Sequence, residues 1–390
     1  MSTPPTDARD PRPAAAVDAT TLAQLTTLRV GGPTASLVEA ETEQDLIDAV
    51  AAADADGAPL LVLGGGSNLL ASDDAFDGVV LRDLRRGISG GSEGACAGAS
   101  ITVPAGQPWD EVVATAVAED WTGLEALSGI PGSTGATPVQ NVGAYGQEVA
   151  ETLAMVRLYD RLDRRVRTLA VGELGLGYRT SILKRSRTET TDAHGRPWGP
   201  TGRYVVLAVT FQLRLASLSA PVRYAELARV LDVELGTRVP QREVREAVLG
   251  LRGGKGMVLD DADHDTWSAG SFFTNPVLTE QQAAEQLPPD APRFPVEDHT
   301  KIGQIGGAAP VVPGLVKTSA AWLISQAGFE RGHGDPRRAS LSTKHVLALT
   351  NRGAASAADL LALARTVRDG VRDRFGVELV PEPVLVGLEL

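Results

Sequence analysis

The stretch that most constrains how this chain can fold runs from Ala126 to Gln147 and reads ALSGIPGSTGATPVQNVGAYGQ. It contains five glycines, two prolines and no charged residue. A core strand would not tolerate so many glycines, because each costs ordering entropy and packs nothing. A flexible linker would be richer in polar and charged residues. The composition favours a backbone bent tightly against a ligand, with N–H groups free to bind an anion. The alternative is a set of ordinary surface turns.

A second glycine run weakens that alternative. The sequence LGGGSNLL, Leu63 to Leu70, follows the apolar run Leu60 to Leu63. It lacks the G-x-G-x-x-G spacing of the dinucleotide fingerprint, and no Lys-Ser/Thr pair follows it as in a P-loop. Two glycine loops without either fingerprint predict that the phosphates of a nucleotide cofactor are held by a different fold.

Composition bounds the possible functions. The chain has 390 residues, enough for two or three domains, and a net charge of −12, which argues against a nucleic-acid or anionic-membrane partner. Its single cysteine, Cys96, excludes a disulfide framework and fits a reducing compartment. The histidines show no metal-ligand spacing, so no metal site is expected. No apolar run is long enough to span a bilayer. Residues 1–19 lack the features of a secretory signal and are predicted to be disordered.

Hydrophobic periodicity predicts strands and helices throughout, which makes the fold class α+β. The clearest strand is Tyr204 to Leu215, whose alternation predicts one buried face carrying Val205, Leu207, Val209, Phe211 and Leu213. Shorter strands are predicted at Thr26–Pro33, 60–63, 79–81, 99–103, 153–159, 166–171 and 345–350, with a strand pair at the C-terminus. Helices are predicted at 43–57, 108–119, 223–231, 241–252, 319–327 and 357–375. Arg187 to Thr201 is predicted to be an exposed loop, and a domain boundary is predicted near 215–265.

Three polar residues lie in apolar, glycine-rich or proline-rich surroundings. Arg179 follows Tyr178 after a tight turn, Ser271 lies between a glycine and two phenylalanines, and Glu382 lies between two prolines. Each has an ordinary explanation: a surface arginine, a strand-end serine and an exposed edge glutamate. No serine lies in a G-x-S-x-G elbow, so hydrolase chemistry is not supported.

Taken in order, five motifs resemble those of the UDP-N-acetylenolpyruvoylglucosamine reductase family: VLGGGSNLL, SGIPGSTGATPVQNVGAYG, GYRTSI, GSFFTNP and PEP. The resemblance covers about residue 20 to the end. It implies a flavoprotein with an FAD-binding part of the vanillyl-alcohol-oxidase (PCMH) type, formed by subdomains at 20–92 and 93–258. A C-terminal α+β domain at 259–390 would bind substrate, with its last strand returning to the FAD part.

By that resemblance, both glycine loops hold the FAD pyrophosphate and flavin. Arg29, beside the glycine turn that follows it, is a further candidate, although a surface arginine is equally compatible with the sequence. Neither glycine loop contains a histidine, so covalent attachment of the flavin is not expected. The implied cofactor-binding residues are Arg29, Gly64, Gly65, Gly66, Ser67, Asn68, Gly129, Gly132, Ser133, Gly135, Gln140, Asn141, Gly143 and Ala144.

The implied reaction uses NADPH as hydride donor and an enolpyruvyl UDP-sugar as acceptor. Arg179 and Glu382 match the residues that polarise the substrate carboxylate, and Ser271 matches the proton donor. For Glu382 to help rather than repel, it is expected to be protonated or to donate a hydrogen bond.

The resemblance also implies four substrate contacts: Tyr145, Tyr224, Lys255 and Asn275. Tyr224 has a competing interpretation as an aromatic residue at a helix start. A cytoplasmic enzyme, a monomer with no nucleic-acid or membrane partner, is expected. Two other functions stay open: another PCMH-fold FAD oxidoreductase acting on an alcohol or sugar, and a nucleotide-binding module without catalysis.

Overall fold

A computed structural model describes residues 20–92, 94, 98–298 and 309–390. The predicted disorder of residues 1–19, together with Cys96 and His299, lies outside the described residues.

The N-terminal subdomain is built on a small parallel sheet of strand order β1-β4-β2. Its elements are α1 Leu22–Leu25, β1 Thr34–Ala40, α2 Glu43–Asp56, β2 Leu60–Leu63, β3 Leu69–Ala71 and β4 Phe76–Asp83. Helix α2 begins where the Thr42 hydroxyl accepts a hydrogen bond from Asp45 N, and it ends at Gly57 with φ of 66°. The predicted strand at Thr26–Pro33 is wrong, because this segment is irregular backbone between α1 and β1.

The second subdomain is an antiparallel sheet of strand order β11-β10-β12-β6-β5 covered by helices. Its elements are β5 Ser89–Ser92, β6 Ala99–Pro104, α3 Trp109–Ala118, β7 Trp121–Thr122, β8 Gly143–Ala144, β9 Gln147–Glu148, β10 Leu153–Asp160, β11 Arg165–Ala170, α4 Ile182–Glu189, β12 Tyr204–Leu215, α5 Ala225–Leu231 and α6 Gln241–Gly254. The charge-free stretch is a winding loop with two single-turn 3-10 helices and the hairpin β8–β9, not a run of regular structure.

Strand β12 contributes side chains to two hydrophobic cores rather than one. Its pairing with β10 shifts register by one residue, so that Arg157 lies opposite Ala208 but Leu158 opposite Val206. Val205 and Leu207 therefore pack against α2 and the parallel sheet, whereas Val209, Phe211 and Leu213 pack in the core of the second subdomain. The prediction of one buried face is corrected here, because a bulge reverses which side chains face a given core.

The C-terminal domain packs its longest helix against short strands. Its elements are β13 Val277–Thr279, α7 Glu280–Gln286, β14 Phe294–Glu297, β15 Val311–Lys317, α8 Ala320–Gln326, β16 Ala339–Leu341, β17 Leu349–Asn351, α9 Ala357–Phe375 and β18 Val384–Val386. The predicted strand at 345–350 shortens to β17, and the predicted C-terminal strand pair is the single strand β18. This strand pairs in parallel with β3, so the end of the chain lies on the N-terminal subdomain.

The segment from Arg187 to Thr201 is only partly an exposed loop. Its start is the end of α4, and Trp198 is only 7% exposed beneath the guanidinium of Arg161, whose carbon lies 4.6 Å from the ring centroid. Thr201 is also buried. No helix of the described residues is both long and apolar enough to cross a bilayer.

Candidate active site

A cavity of about 720 Å³ lies where the three parts of the chain meet. Both glycine loops line it, together with Arg179 from the second subdomain and Ser271 and Glu382 from the C-terminal domain. Residues far apart in the sequence therefore share one enclosure. It is large enough for a ligand of nucleotide size.

The two glycine loops touch each other along one wall of this cavity. A Cβ atom on Gly65 would lie 2.6 Å from the Cα of Gly132, and one on Gly64 would lie 2.4 Å from the hydroxyl oxygen of Ser133. The hydroxyl of Ser67 donates to the carbonyl of Pro131 at 2.9 Å. The cavity lined by the closely packed glycine backbones fits the extended, anionic body of FAD, which needs close backbone approach.

Some of the predicted cofactor residues shape the loops from outside the cavity lining. Gly66 has φ of 61°, and a Cβ there would lie 2.0 Å from the carbonyl oxygen of Leu25. The buried Asn141 side chain accepts from Ala150 N at 3.1 Å, and Gly129 packs against the side chain of Arg252. The predicted cofactor residues that do line the cavity are Gly64, Gly65, Ser67, Asn68, Gly132, Ser133, Gly135, Gln140, Gly143 and Ala144.

Arg179 is held in place by backbone and by one carboxylate. It has φ of 53°, and its Nη2 donates to the carbonyl of Gly143 at 2.8 Å. Its Nε lies 3.2 Å from Oε1 of Glu382, an ion-pair distance, although the buried N–H is not directed at a hydrogen-bond acceptor. Burial opposes the charge, yet the field of Glu382 raises the pKa of Arg179. The guanidinium is therefore a fixed cation facing the cavity.

Glu382 is paired before any substrate arrives. Its Oε1 accepts from Nε2 of Gln140 at 3.2 Å, and its backbone carbonyl lies 3.4 Å from Nδ2 of Asn68, which also donates to the Gln140 side chain at 3.1 Å. Oε1 of Glu382 thus accepts from Gln140 and lies beside the cation of Arg179, which it helps to orient. That the carboxyl is protonated or donates a hydrogen bond stays a prediction.

Ser271 enters the cavity at the start of the C-terminal domain. Gly270 before it has φ of 72°, and Phe272 and Phe273 after it are each 1% exposed. Backbone pairing of Phe273 with Pro381, and donation from Glu382 N to Phe272 O at 2.8 Å, bind this segment to the one carrying Glu382. Within the described part of the chain, the Ser271 hydroxyl has no hydrogen-bond partner, so its proton faces the cavity uncommitted.

The predicted substrate contacts divide into two groups. Tyr145 and Tyr224 meet edge to face with ring centroids 5.6 Å apart, and Lys255 lies 5.6 Å above the Tyr145 ring while pairing with Glu226. All three predicted residues line the cavity. Burial raises the pKa of Tyr145 to about 12, so its hydroxyl is a donor at neutral pH.

Two further predicted residues, Arg29 and Asn275, also lie outside the cavity lining. Arg29 pairs with Asp261 and lies 4.1 Å over the ring of Trp267. The side-chain oxygen of Asn275 accepts from Ala320 N at 3.0 Å at the start of α8, while its backbone N–H donates to the Tyr178 hydroxyl at 3.2 Å. The structure thus gives both residues positions that join elements together.

Several cavity residues escaped sequence reasoning. Arg187, Thr201, Arg252 and His345 all line the cavity. No local pattern marks them, since each lies in an ordinary helix, loop or turn; the closeness of Arg187 to the GYR motif was the one signal available. Among the described residues, no group of three or more His, Cys, Asp or Glu side chains is arranged to hold a metal ion.

Comparison with known proteins agrees with this geometry. Residues 34–168 match the FAD binding domain family, and residues 261–386 match the family described as UDP-N-acetylenolpyruvoylglucosamine reductase, C-terminal domain. The chain is 54% identical to UDP-N-acetylenolpyruvoylglucosamine reductase of Saccharopolyspora erythraea over 376 residues, 95% of each chain. It is equally 54% identical to the enzyme of that name from Nocardia farcinica, over 96% of this chain and 90% of the relative.

A solved structure shares the fold. The crystal structure of UDP-N-acetylenolpyruvylglucosamine reductase from Thermus caldophilus superposes with a TM-score of 0.59 at 24% identity, covering 95% of this chain and 98% of that one. The predicted fold class is confirmed: an α+β protein with an FAD-binding part of the PCMH type followed by a C-terminal domain.

These observations define the class as an FAD-containing oxidoreductase. Full-length identity of about half to many relatives then fixes the particular family. The chain belongs to the UDP-N-acetylenolpyruvoylglucosamine reductase family.

Proposed function

We propose that this protein reduces the enolpyruvyl group of UDP-N-acetylglucosamine enolpyruvate to UDP-N-acetylmuramate, with NADPH as hydride donor, during synthesis of peptidoglycan precursors. The observation that carries the proposal is the convergence of Arg179, Ser271 and Glu382 on the cavity that both glycine loops line. The names and the extent of the relatives support the same reaction.

FAD, when bound, supplies a two-electron carrier that takes a hydride from NADPH and passes it to the vinyl carbon of the substrate. In this proposal the glycine loops bind its pyrophosphate, with Gly64 and Gly132 leaving room for the backbone to approach. Asn68 and Gln140 connect this cradle to Glu382, since the three groups are joined by hydrogen bonds.

Arg179 stabilises the charge that the reaction creates. Addition of hydride to the terminal carbon pushes electrons toward the carboxylate, so an enolate-like anion develops. A single preorganised hydrogen-bond donor aimed at developing negative charge is typically worth about 2.7–4 kcal/mol of barrier, and the guanidinium of Arg179 supplies such donors. Glu382 contributes by holding the guanidinium at 3.2 Å rather than by contacting the anion.

Ser271 completes the reduction by donating a proton to the carbon next to the carboxylate. A serine hydroxyl is a weak acid, but the carbon of an enolate is a strong base, so the transfer becomes favourable. Phe272 and Phe273, both buried, shield one side of this segment from water. The hydride and the proton together saturate the double bond.

The proposal also covers the substrate contacts, the domain boundaries, the oligomeric state and the location of the enzyme. We infer that Tyr145, Tyr224 and Lys255 bind the UDP-sugar, because all three line the cavity and the lysine supplies a cation for a diphosphate. The domain boundaries at residues 92 and 258, a monomeric state and a cytoplasmic location are part of the same proposal. With these boundaries, β5 at the end of the first segment adds an edge strand to the sheet of the second subdomain. Light scattering of the purified protein tests the monomer, and cell fractionation tests the location.

The experiment that tests the reaction separates its two halves. Purified protein carrying FAD is mixed anaerobically with NADPH, and the visible absorbance band of the flavin is expected to bleach. Addition of the enolpyruvyl UDP-sugar should then restore the absorbance. Bleaching without restoration would mean an FAD oxidoreductase for a different acceptor, and absence of bleaching would mean binding without this catalysis.

A further inference from the structure

The cations that line the cavity differ in what they are paired with. Arg82 pairs with Glu39 at 2.7 Å, and Arg86 donates to the carbonyl of Gly106. Arg252 donates to the carbonyl of Gly129 at 3.1 Å. Arg179 and Lys255 face the carboxylates described above. Each of these positive charges is therefore at least partly compensated by the protein.

Arg187 is the exception among the described residues that line the cavity. Its Nε atom is buried and has no hydrogen-bond partner. Burial lowers the pKa of Arg187, and no carboxylate of the described chain offsets that effect. Arg187 as a whole is half-buried, and a cation with an unpaired buried N–H in the wall of a cavity is suited to meet an anion that the chain itself does not supply.

The surroundings place Arg187 beside the first glycine loop. Gly202 packs directly on it, since a Cβ on Gly202 would lie 3.0 Å from Cγ of Arg187. The neighbouring Thr201 accepts a hydrogen bond from Val62 N at 2.7 Å. Val62 lies only two residues before Gly64 on β2, and both line the same cavity.

Its position on α4 also separates Arg187 from the reacting groups. Arg179 precedes the helix, whereas Arg187 follows Leu183, another cavity residue, by one helical turn. Gly202 packs on Arg187, and its neighbours Thr201 and Tyr204 also line the cavity. Arg187 therefore lies on the side of the cavity where Thr201 meets the strand that leads into the first glycine loop.

We propose that Arg187 is a cofactor-binding residue that contacts the pyrophosphate of FAD, supplying the cation that the neutral glycine loops lack. A planar guanidinium matches two phosphate oxygens at once, which a backbone N–H group cannot do. The inference rests on FAD as the cofactor but not on the identity of the substrate.

The test compares ligands that differ in their phosphates. Flavin is stripped from wild-type protein and from Arg187→Gln, and reloading with FAD confirms that each preparation is folded. Binding of FAD, riboflavin, ADP and adenosine is then measured by fluorescence or calorimetry. Arg187→Gln is expected to weaken FAD and ADP by about 10- to 100-fold, the worth of a hydrogen bond to a charged group, and to leave riboflavin and adenosine unchanged.

Two further variants serve as controls for this experiment. Arg187→Lys keeps the positive charge but loses the planar guanidinium that can contact two phosphate oxygens at once. It should bind FAD more tightly than Arg187→Gln and more weakly than wild type. Arg242→Gln removes the same charge from an exposed position on α6 and should bind FAD like wild type.

Other outcomes would overturn the inference. Equal losses for FAD and riboflavin would place Arg187 at the flavin ring, and equal losses for ADP and adenosine would place it at the base. Unchanged FAD binding in Arg187→Gln would remove the residue from the site. A wild-type protein that binds no FAD would instead defeat the cofactor assignment itself.

Discussion

At the scale of single residues, the site is a set of charges arranged before the ligands arrive. Arg179 and Glu382 hold each other at 3.2 Å, and Ser271 presents a hydroxyl that no described residue engages. A preorganised cation needs no reorganisation when negative charge develops, which is the source of its effect on the barrier.

Ser271→Ala should separate the two half-reactions. Reduction of the flavin by NADPH does not require the hydroxyl and is expected at nearly the wild-type rate. Re-oxidation by the enolpyruvyl UDP-sugar should slow by about 10²- to 10⁴-fold, the typical contribution of a proton donor. Stopped-flow absorbance of the flavin measures both rates.

Ser271→Cys is the informative companion, because a thiol can also donate a proton and should restore part of the second rate. Equal losses in both half-reactions of Ser271→Ala would count against the role of proton donor.

His345 should make the protein less stable in acid. Burial, followed by the nearby positive charge of Lys255, lowers the pKa of this histidine from 6.5 to about 4. Because the unfolded chain binds the proton more tightly, the contribution of His345 is complete above pH 6.5 and is lost as the pH falls toward 4. The loss should be roughly 1–3 kcal/mol, since the ring is partly exposed.

Urea unfolding of the FAD-loaded protein at neutral pH and near the lowered pKa measures this effect. His345→Gln should show a smaller fall in unfolding free energy than wild type between the two conditions. His194→Gln, which removes an exposed histidine, should fall as wild type does. Identical pH dependence in wild type and His345→Gln would rule out this source of acid sensitivity.

At the scale of elements, the edges of the two sheets are where the cavity is organised. The bulge in β12 lets one strand pack against both subdomain cores. On the other side, β2 is an edge strand whose Val62 N–H is satisfied by the hydroxyl of Thr201. This contact ties the loop after α4 to the strand that leads into the first glycine loop.

Thr201→Val should therefore destabilise the fold although it preserves the shape of the side chain. The substitution leaves the Val62 N–H without its partner, at a cost of about 1–3 kcal/mol for a buried group. Chemical denaturation measures the change. Thr188→Val, at an exposed position on α4, should stay within about 0.5 kcal/mol of wild type. Equal stability of the two variants would show that the Thr201 contact contributes nothing.

At the scale of the whole molecule, the C-terminal segment ties the substrate domain to the FAD-binding part. Strand β18 pairs with β3, and Val384 N donates to the carbonyl of Asn68 at 3.0 Å. Asn68 thus lies where the first subdomain, Gln140 of the second and Glu382 of the C-terminal domain come together. In the proposed mechanism, binding of the cofactor and placement of the catalytic carboxylate therefore depend on the same junction.

Asn68→Leu should cost the protein its retained flavin. The side chain loses its hydrogen bonds to Gln140 and to the Glu382 carbonyl, which leaves polar groups unpaired beside the cofactor. The ratio of flavin absorbance to protein absorbance after gel filtration should fall by about 10-fold or more. Gln281→Leu, an exposed change on α7, should remain fully loaded. A fully yellow Asn68→Leu protein would contradict the assignment of Asn68 to the cradle.

Local sequence signals predicted the ends of an element well where its own residues, such as a helix cap or an alternating pattern, determine where it begins and ends. Helix α9 begins at Ala357 after the Ser356 cap and ends at Phe375 before Gly376, within the predicted bounds. Strand β12 also has the predicted ends. The strand predicted at Thr26–Pro33 is absent because this segment has irregular backbone, although its apolar residues Leu28 and Val30 are buried in the C-terminal core.

The candidate site divides in the same way. Motif residues such as Gly64, Gly132 and Ser271 line the cavity, as their glycine-rich and apolar surroundings suggested. Asn275 belongs to the same motif as Ser271 but lies outside the cavity lining, because its side chain accepts a hydrogen bond at the start of α8. Arg187 went unnoticed, since a lone arginine in a helix looks the same in the sequence whether it is paired or not.

The amino-acid sequence by itself indicated the family and the cofactor through the resemblance of its motifs. It also determined the local elements, because backbone freedom at glycines and hydrophobic periodicity act over a few residues. Only the tertiary structure decided which charges are paired, that β12 contributes to two cores, and which strand of the FAD-binding part the last strand joins. Those outcomes depend on contacts between residues hundreds of positions apart, and they are set by the packing of whole domains rather than by any neighbouring sequence.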